Sequence, residues 1–458
     1  MKKLNKVLSI LLLVTMLVLS LAACQSGGDK TTTTNTTTTQ KPEAVDYAGQ
    51  LKLDMTSSSA KAEVIRVKTF VDGDTTHFYV PESVAEYGVL KARYMAINTP
   101  ESTGKIEPYG KMASRFTKEK LLSAVSIIIE SDNETWNLDS TGDRHMVWVW
   151  YKTSETGEYR NLNLEILQNG LALPSNAGNN RYGSYCTDAL AQARALSLYV
   201  FSGQKDPEMY DGAAIELTLK ELRLHIEDYK DKVVTFEAGV VMNTGNNSIY
   251  VEAYDEETGL YYGMSVYYGF GLEGPGMEIL QVGNIVRIVG SVQYYEAGGT
   301  YQISDIKYNM FKPNSSENIK KLGDGYEGEF PLTTVNEFVN GTTDITLEDT
   351  VATYEFKYLT MNSSISFENL KVVDVYTTTN AASASKGAMT LTCEQNGVRI
   401  TIRTNVLYDA EGNLVTEDAY EGKTINVKGF VEYYLPEGQT TGQYQIKVLT
   451  PDQITVLD

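Results

Sequence analysis

The chain has 458 residues, 21% charged and 42% hydrophobic, which is too long for one ordinary core and points to roughly three domains. Its formal net charge is −20, from 39 Lys+Arg against 59 Asp+Glu, which excludes a protein that holds nucleic acid or anionic membrane by net charge alone. The imbalance is local: residues 1–60 carry 6 basic and 4 acidic side chains, residues 61–203 carry 15 and 17, and residues 204–458 carry 18 and 38. Activity on an anionic polymer is therefore expected in the middle segment.

Lys2, Lys3 and Lys6 precede an apolar run from Val7 to Ala22 that ends in Leu21-Ala22-Ala23-Cys24. A basic start, an apolar run and small residues before a cleavage point make residues 1–23 a secretory signal. The Leu-Ala-Ala-Cys string resembles the bacterial lipobox, which implies lipidation at Cys24 and anchoring to the outer side of the cell membrane. Residues 24–60, with Thr31–Thr34 and Thr36–Thr39, read as a disordered tether that cannot bury a core. Cys186 and Cys393 are expected as unpaired structural thiols. The scattered His77, His145 and His225 argue against zinc.

From Ala62 to Val80, β-branched and aromatic residues flank Asp72-Gly73-Asp74, a hairpin signal. Val89–Ile97, Ser126–Glu130 and Met146–Tyr151 read as further strands. Gly110–Ala124 places Ala113, Phe116, Leu121 and Ala124 on one helical face. Leu162–Gln168 and Thr187–Phe201 are also helical, the second with Ala189, Ala193, Leu196 and Val200 in a stripe. Residues 61–203 are thus an α+β domain.

Beyond Gly203, short β runs dominate and 21 of the 31 tyrosines occur. Val282–Tyr295 leading to Tyr301-Gln302-Ile303 is echoed by Glu421–Tyr434 leading to Tyr444-Gln445-Ile446, with glycines seven apart and a Tyr pair at the same offset in both. The hairpin loops differ in length by four residues. Two similar β domains follow, 204–310 and 331–458, joined by a linker at 311–330. Their glycine-spaced strands resemble OB folds. Tyr294/Tyr295 and Tyr433/Tyr434 could stack bases, but half-buried strand packing and the acidic surroundings favour a spacer, or a contact with a cell-surface partner.

The residues that suggest chemistry lie within 61–203: Asp72-Gly73-Asp74-Thr75, Arg93, Asn98-Thr99-Pro100-Glu101, Tyr109-Gly110 and Gly142-Asp143-Arg144. Singly, each reads as a turn, a helix start or a surface charge. Asp72 reads equally as a turn-stabilising side chain. Together they supply oxygens for a hard cation, two guanidinium groups for a phosphate, and a carboxylate to activate water.

In this order and spacing, with Tyr109-Gly110-Lys111-Met112-Ala113-Ser114-Arg115-Phe116-Thr117, residues 61–203 resemble the staphylococcal-nuclease-like family. The resemblance implies a five-stranded OB-type barrel with three helices, and Ca²⁺-dependent hydrolysis of DNA and RNA to 3′-phosphate ends. It implies Asp74, Asn98 and Thr99 as metal ligands, the last through its carbonyl. Glu101 is implied as general base, and Arg93 and Arg144 as the groups on the scissile phosphate. Asn98 stands where the family has an Asp, which removes one ligand charge. Gly142 stands where the best-known member has a Tyr, and the loop Leu171–Asn180 lacks that member's nucleotide-packing tyrosines. The expected protein is a membrane-anchored exported nuclease; the alternatives are a catalytically weakened nucleic-acid binder and a cell-surface adhesion lipoprotein.

Overall fold

The computed structural model describes residues 43–103, 106–347, 350–381 and 383–457. The signal segment and Cys24 lie outside the described residues. Three barrel-like units follow one another, giving a mixed α+β fold.

The first unit starts earlier than the sequence suggests. Helix α1 (Tyr47–Gln50) buries Ala48, and Leu51 follows it into the same core as the barrel. Asp46 caps α1 and takes both terminal nitrogens of Arg160 at 2.8 Å. Residues 44–60, assigned above to the tether, are therefore a strap on the barrel. A few apolar residues and one well-placed carboxylate suffice, and the Thr-rich composition beside them hides both.

Strands β1 (Lys61–Glu63), β2 (Arg66–Phe70), β3 (Thr75–Tyr79), β4 (Val89–Tyr94), β6 (Ser126–Glu130), β7 (His145–Lys152) and β8 (Arg160–Asn161) form one curled sheet. Its order is β1-β6-β7-β4-β3-β2, with β8 added on β7 and with β4 and β7 parallel. Short β5 (Ile97–Asn98) pairs with β9 (Leu173–Pro174) outside this sheet. Phe78, Leu90, Tyr94, Trp148, Trp150 and Tyr151 are buried in the core on the two faces of this sheet, with successive residues of β7 such as Trp150 and Tyr151 on opposite faces. Helix α2 (Gly110–Leu122) buries Ala113, Thr117 and Leu121, spaced four apart. Thr117, not Phe116, takes the buried position, because its hydroxyl donates to Gly73 O at 2.6 Å. Helix α3 (Leu162–Gln168) starts at an Asn161 cap that accepts from Leu164 N at 2.9 Å. Helix α4 (Gly183–Ala195) ends before the expected Phe201, because Ser197 and Tyr199 take positive φ.

The second unit contains β10 (Ile215–Glu216), α5 (Leu219–Leu224), β11 (Val233–Asn243), β12 (Ser248–Asp255), β13 (Leu260–Tyr267), α6 (Pro275–Ile279), β14 (Ile285–Tyr295), β15 (Thr300–Ser304) and β16 (Lys320–Gly323). The β11–β14 pairing closes the barrel, and β13 and β15 are parallel. β16 pairs with β14, and Ile319 is fully buried, so the proposed linker 311–330 is in part a barrel strand. Its Ser/Asn/Lys-rich context masked that short apolar core.

The third unit contains α7 (Val335–Asn340), the hairpin β17 (Thr342–Leu347) and β18 (Thr350–Glu355), α8 (Phe356–Leu359), β19 (Ser364–Thr377), β20 (Met389–Gln395), β21 (Val398–Thr404), β22 (Thr424–Tyr434), β23 (Gln443–Val448) and β24 (Ile454–Val456). Its β19–β22 closure and parallel β21–β23 pair reproduce the second barrel. The sequence repeat falls on β14–β15 and β22–β23. Its second glycines, Gly290 and Gly429, sit where a Cβ would meet Ile303 or Ile446 at 2.5 Å.

The second and third barrels share buried contacts. Fully buried Arg223 donates to Gly263 O at 2.6 Å and Met361 O at 2.8 Å, and Glu252 accepts from Ser364 N at 2.7 Å. The first barrel meets the others largely through charge. Lys111 pairs with Asp231 at 2.7 Å, Arg115 with Glu208 at 2.6 Å, Lys118 with Glu296, and Arg66 with Glu437 at 2.9 Å.

Candidate active site

Sheet register brings the candidate residues to one edge of the first barrel. Thr75 lies opposite Arg93, and Tyr94 N donates to Asp74 O at 2.8 Å, so Asp74 sits beside Arg93. The parallel β4–β7 pairing sets Arg93 against Met146, which carries Arg144, two residues earlier, to the same edge. The β5–β9 bridge fixes Asn98.

The Asp72-Gly73-Asp74 turn is locked from both sides. Asp72 Oδ1 accepts from Asp74 N at 3.1 Å. A Cβ on Gly73 would meet Thr99 and Ala113 within 3 Å, so only glycine lets the turn lie between the Thr99 loop and α2. Asp74 is fully buried. Its Oδ1 accepts from Thr75 Oγ1 at 3.0 Å and its Oδ2 from Thr99 N at 2.7 Å. The Arg93 guanidinium pairs with Asp74 through Nη1 and donates to Asn98 Oδ1 through Nη2. Asp74 and Asn98, read from sequence as ligands of one cation, thus converge on one cationic group, while Arg93 keeps further N–H groups for an anion. Buried Thr99 Oγ1 has no hydrogen-bond partner among the described residues.

Glu101 leaves the same loop. Its carbonyl accepts from Glu107 N at 2.9 Å, and its own N donates to Glu107 Oε2 at 3.3 Å. Although the residue is solvent-exposed, partial burial of its carboxylate, together with the neighbouring Asp72 and Glu107, raises its pKa, against the pull of Arg93 and Arg144. Asp72 is also raised, chiefly by burial, with Arg93 and Arg144 opposing. Burial draws the Arg93 pKa down, but a guanidinium stays charged at neutral pH. Arg144 Nε and Nη2 both meet Asp139 Oδ2, at 2.7 and 2.6 Å.

The structure therefore gathers Asp74, Asn98, Thr99 and Arg93 directly. Glu101 and Arg144 act on the same group of charges through space. Asp72 and Gly110 belong to strings that the sequence singles out, but their roles, and Asp139 altogether, emerge only from the structure. Asp72 is buried beside the site and not merely in a turn. Asp139 orients Arg144, hinted only by the Gly142 turn between them. Gly110 packs against the Glu101 backbone.

Residues 91–197 match the family model for staphylococcal nuclease homologues. The chain carries a staphylococcal-nuclease-like domain. The match begins at Lys91, so the Asp72–Thr75 turn lies outside it; that turn joins the same barrel through the register of β3 with β4. No curated protein matches the chain. The nuclease domain has an OB-type barrel, and the two barrels after it share that general architecture.

Proposed function

We propose that the protein is an exported, lipid-anchored, Ca²⁺-dependent nuclease that hydrolyses phosphodiester bonds of DNA and RNA. The observation that carries this reading is the convergence of Asp74, Asn98, Thr99 and Arg93 beside the Glu101 loop, inside a nuclease-like domain. Export and anchoring rest on the signal pattern and Cys24.

The donor set fits a hard cation in type: an Asp carboxylate, an Asn amide oxygen and the Thr99 carbonyl. Among the described residues no group of three or more His, Cys, Asp or Glu gathers as metal ligands; with Asp74 the one charged donor of this set and the other two neutral oxygens, the binding should be weak. When bound, Ca²⁺ supplies charge stabilisation and orients the phosphate. The chain's own residues do the rest. Glu101 takes a proton from water as the water oxygen attacks phosphorus. The P–O5′ bond breaks with its electron pair going to O5′, which takes a proton from solvent water, so the products are a 3′-phosphate and a 5′-hydroxyl. Arg93 and Arg144 offer N–H groups to the phosphate oxygens as charge builds, and Asp139 keeps Arg144 aimed.

The test is cleavage of labelled oligonucleotides by the full mature chain, with Ca²⁺ or with a chelator. Glu101→Gln keeps the shape and removes the base, so kcat should fall by roughly 10²–10⁴. Undiminished turnover in that variant would remove Glu101 from the chemistry. Binding without cutting in the wild type would favour a weakened binder, a reading that the Arg93–Asn98 contact supports. For the anchor, Cys24→Ser should release the protein to the medium, and retention on the membrane would argue against lipidation there.

A further inference from the structure

The second barrel brings tyrosines to the Glu101 side of the nuclease domain. Helix α2 links the two. It begins with Gly110 against the Glu101 carbonyl, and its flank carries Lys111 and Lys118, which pair with Asp231 and Glu296 of the second barrel. Glu296 directly follows Tyr295 at the β14–β15 turn, and β13 ends at Tyr267. Asp231 N donates to Val292 O at 2.8 Å, Val292 lies opposite Ile303, and Ile303 is the partner of Val266, so the sheet register sets the Tyr267 end of β13 level with the Lys111–Asp231 pair at the start of α2; burial, Tyr295 and Glu101 together raise the Tyr267 pKa.

Most tyrosines of this barrel are explained by packing. Tyr262 is buried, and Tyr301 donates to Glu227 at 2.6 Å and Tyr250 to Glu432 at 3.4 Å. Tyr267 and Tyr295 differ. Tyr295 is 50% exposed and lies over Gly298; Tyr267 is half-buried and lies near Gly269. Neither hydroxyl has a hydrogen-bond partner among the described residues. The nuclease domain's own loop at 171–180 contributes no aromatic ring.

We propose that Tyr267 and Tyr295 form a base-stacking wall beside the cleavage site, which takes nucleobases of single-stranded nucleic acid next to the scissile phosphate. The proposal rests on the nuclease reading for the position of that phosphate. Stacking tolerates any base, because every base has a π face, and it selects single strands, because bases in a duplex are already stacked. The acidity of the second barrel does not prevent it here. The carboxylates that border the nuclease domain, Asp231 and Glu296, are each paired with a lysine of α2.

The experiment measures binding by fluorescence anisotropy in the full mature chain carrying Glu101→Gln, so that the probe survives. The probes are a thymidine oligomer and an abasic sugar-phosphate strand of equal length. Tyr267→Ala and Tyr295→Ala should each weaken thymidine-oligomer binding roughly 5- to 100-fold and leave abasic binding unchanged, as expected for one stacked base. Tyr→Phe at either position should retain affinity, which separates a ring from a hydroxyl contact. Tyr254→Ala is the control: it is exposed and lies six residue pairs along the β12–β13 hairpin from Tyr267, ~20 Å away at strand spacing. Lys118→Glu, which breaks the pair with Glu296, should reproduce the loss, and adding Glu296→Lys should restore binding. Wild-type affinity in both Tyr→Ala variants, or an equal loss for the abasic strand, overturns the stacking wall. Failure of the nuclease reading looks different: the chain with Glu101 intact then binds the thymidine oligomer in a Tyr-dependent way but does not cut it.

Discussion

Gly110→Ala is a sharp test of how the Glu101 loop is held. By helix propensity alone the change should help, since alanine exceeds glycine by about 1 kcal/mol within a helix. The structure predicts the opposite. A Cβ at position 110 would lie 2.1 Å from Glu101 O, 2.7 Å from Glu101 C and 3.0 Å from Pro100 O. All three are backbone atoms, so no side-chain rotation relieves the clash. Opening the shortest contact to 3.0 Å, below which real Cβ atoms are essentially never found, requires the loop or the helix start to move by about 0.9 Å. A misplacement of ~1 Å at a reacting group can cost about 10²-fold in rate. The expected result is a kcat lowered about a hundredfold in Ca²⁺-dependent oligonucleotide cleavage, with a smaller change in KM. Gly412→Ala is the comparison, because Gly412 has φ +84° and nothing within 4 Å of the added Cβ. That variant should lose ~1–2 kcal/mol of stability to left-handed strain and keep its kcat. A Gly110→Ala protein that melts like wild type and keeps wild-type kcat would refute the claim that this contact positions Glu101.

Three other outcomes follow from the same geometry. Asn98→Asp restores a carboxylate beside Asp74 and should tighten Ca²⁺ binding at least about tenfold, ~1.4 kcal/mol; an unchanged calcium titration would remove residue 98 from the ligand set. Glu101 must be deprotonated to act as base, and its pKa is raised, so the acid limb of the kcat/KM profile should lie above the ordinary glutamate value of ~4.3. Because Glu107 contributes to that rise, Glu107→Gln should move the limb to lower pH while keeping an acceptor for Glu101 N. Finally, a nuclease-domain fragment starting at residue 61 should be less stable than one starting at residue 44. Burial of Leu51 alone is worth about 1.5–3 kcal/mol, and equal denaturant midpoints would show that the strap is dispensable.

What was legible in the sequence was local. The Asp-Gly-Asp turn, the α2 spacing and the Trp148/Trp150 strand each carry their signal within a dozen residues, and they suffice to set the barrel. Gly73 and Thr117 belong to the same recognisable strings, yet their reason is tertiary: the glycine makes room for Thr99 and Ala113, and the threonine ties the turn to the helix. The strap was hidden because Asp46 and Arg160 are 114 residues apart, and neither charge looks unusual alone. The repeat in the tail was visible through Gly290 and Gly429, because a tight crossing against a neighbouring strand demands glycine at that point.

Docking of the tail on the nuclease domain was not legible, because single carboxylates carry it and residues 204–458 hold 38 of them. The four-residue difference between the repeated hairpins acquires a meaning only in three dimensions. The longer loop carries Glu437, which reaches Arg66 at 2.9 Å and the Tyr79 hydroxyl at 2.9 Å. Among the described residues the four ion pairs across this boundary have one polarity, with the base on the nuclease domain and the acid on the tail. Each is worth no more than about 1 kcal/mol at a surface, so together they orient the barrels more than they stabilise them. Net charge argued for keeping the tail away from a polyanion. At this boundary that repulsion is offset, because Asp231 and Glu296 of the second barrel are already paired with Lys111 and Lys118, and the proposed wall of Tyr267 and Tyr295 adds no charge of its own.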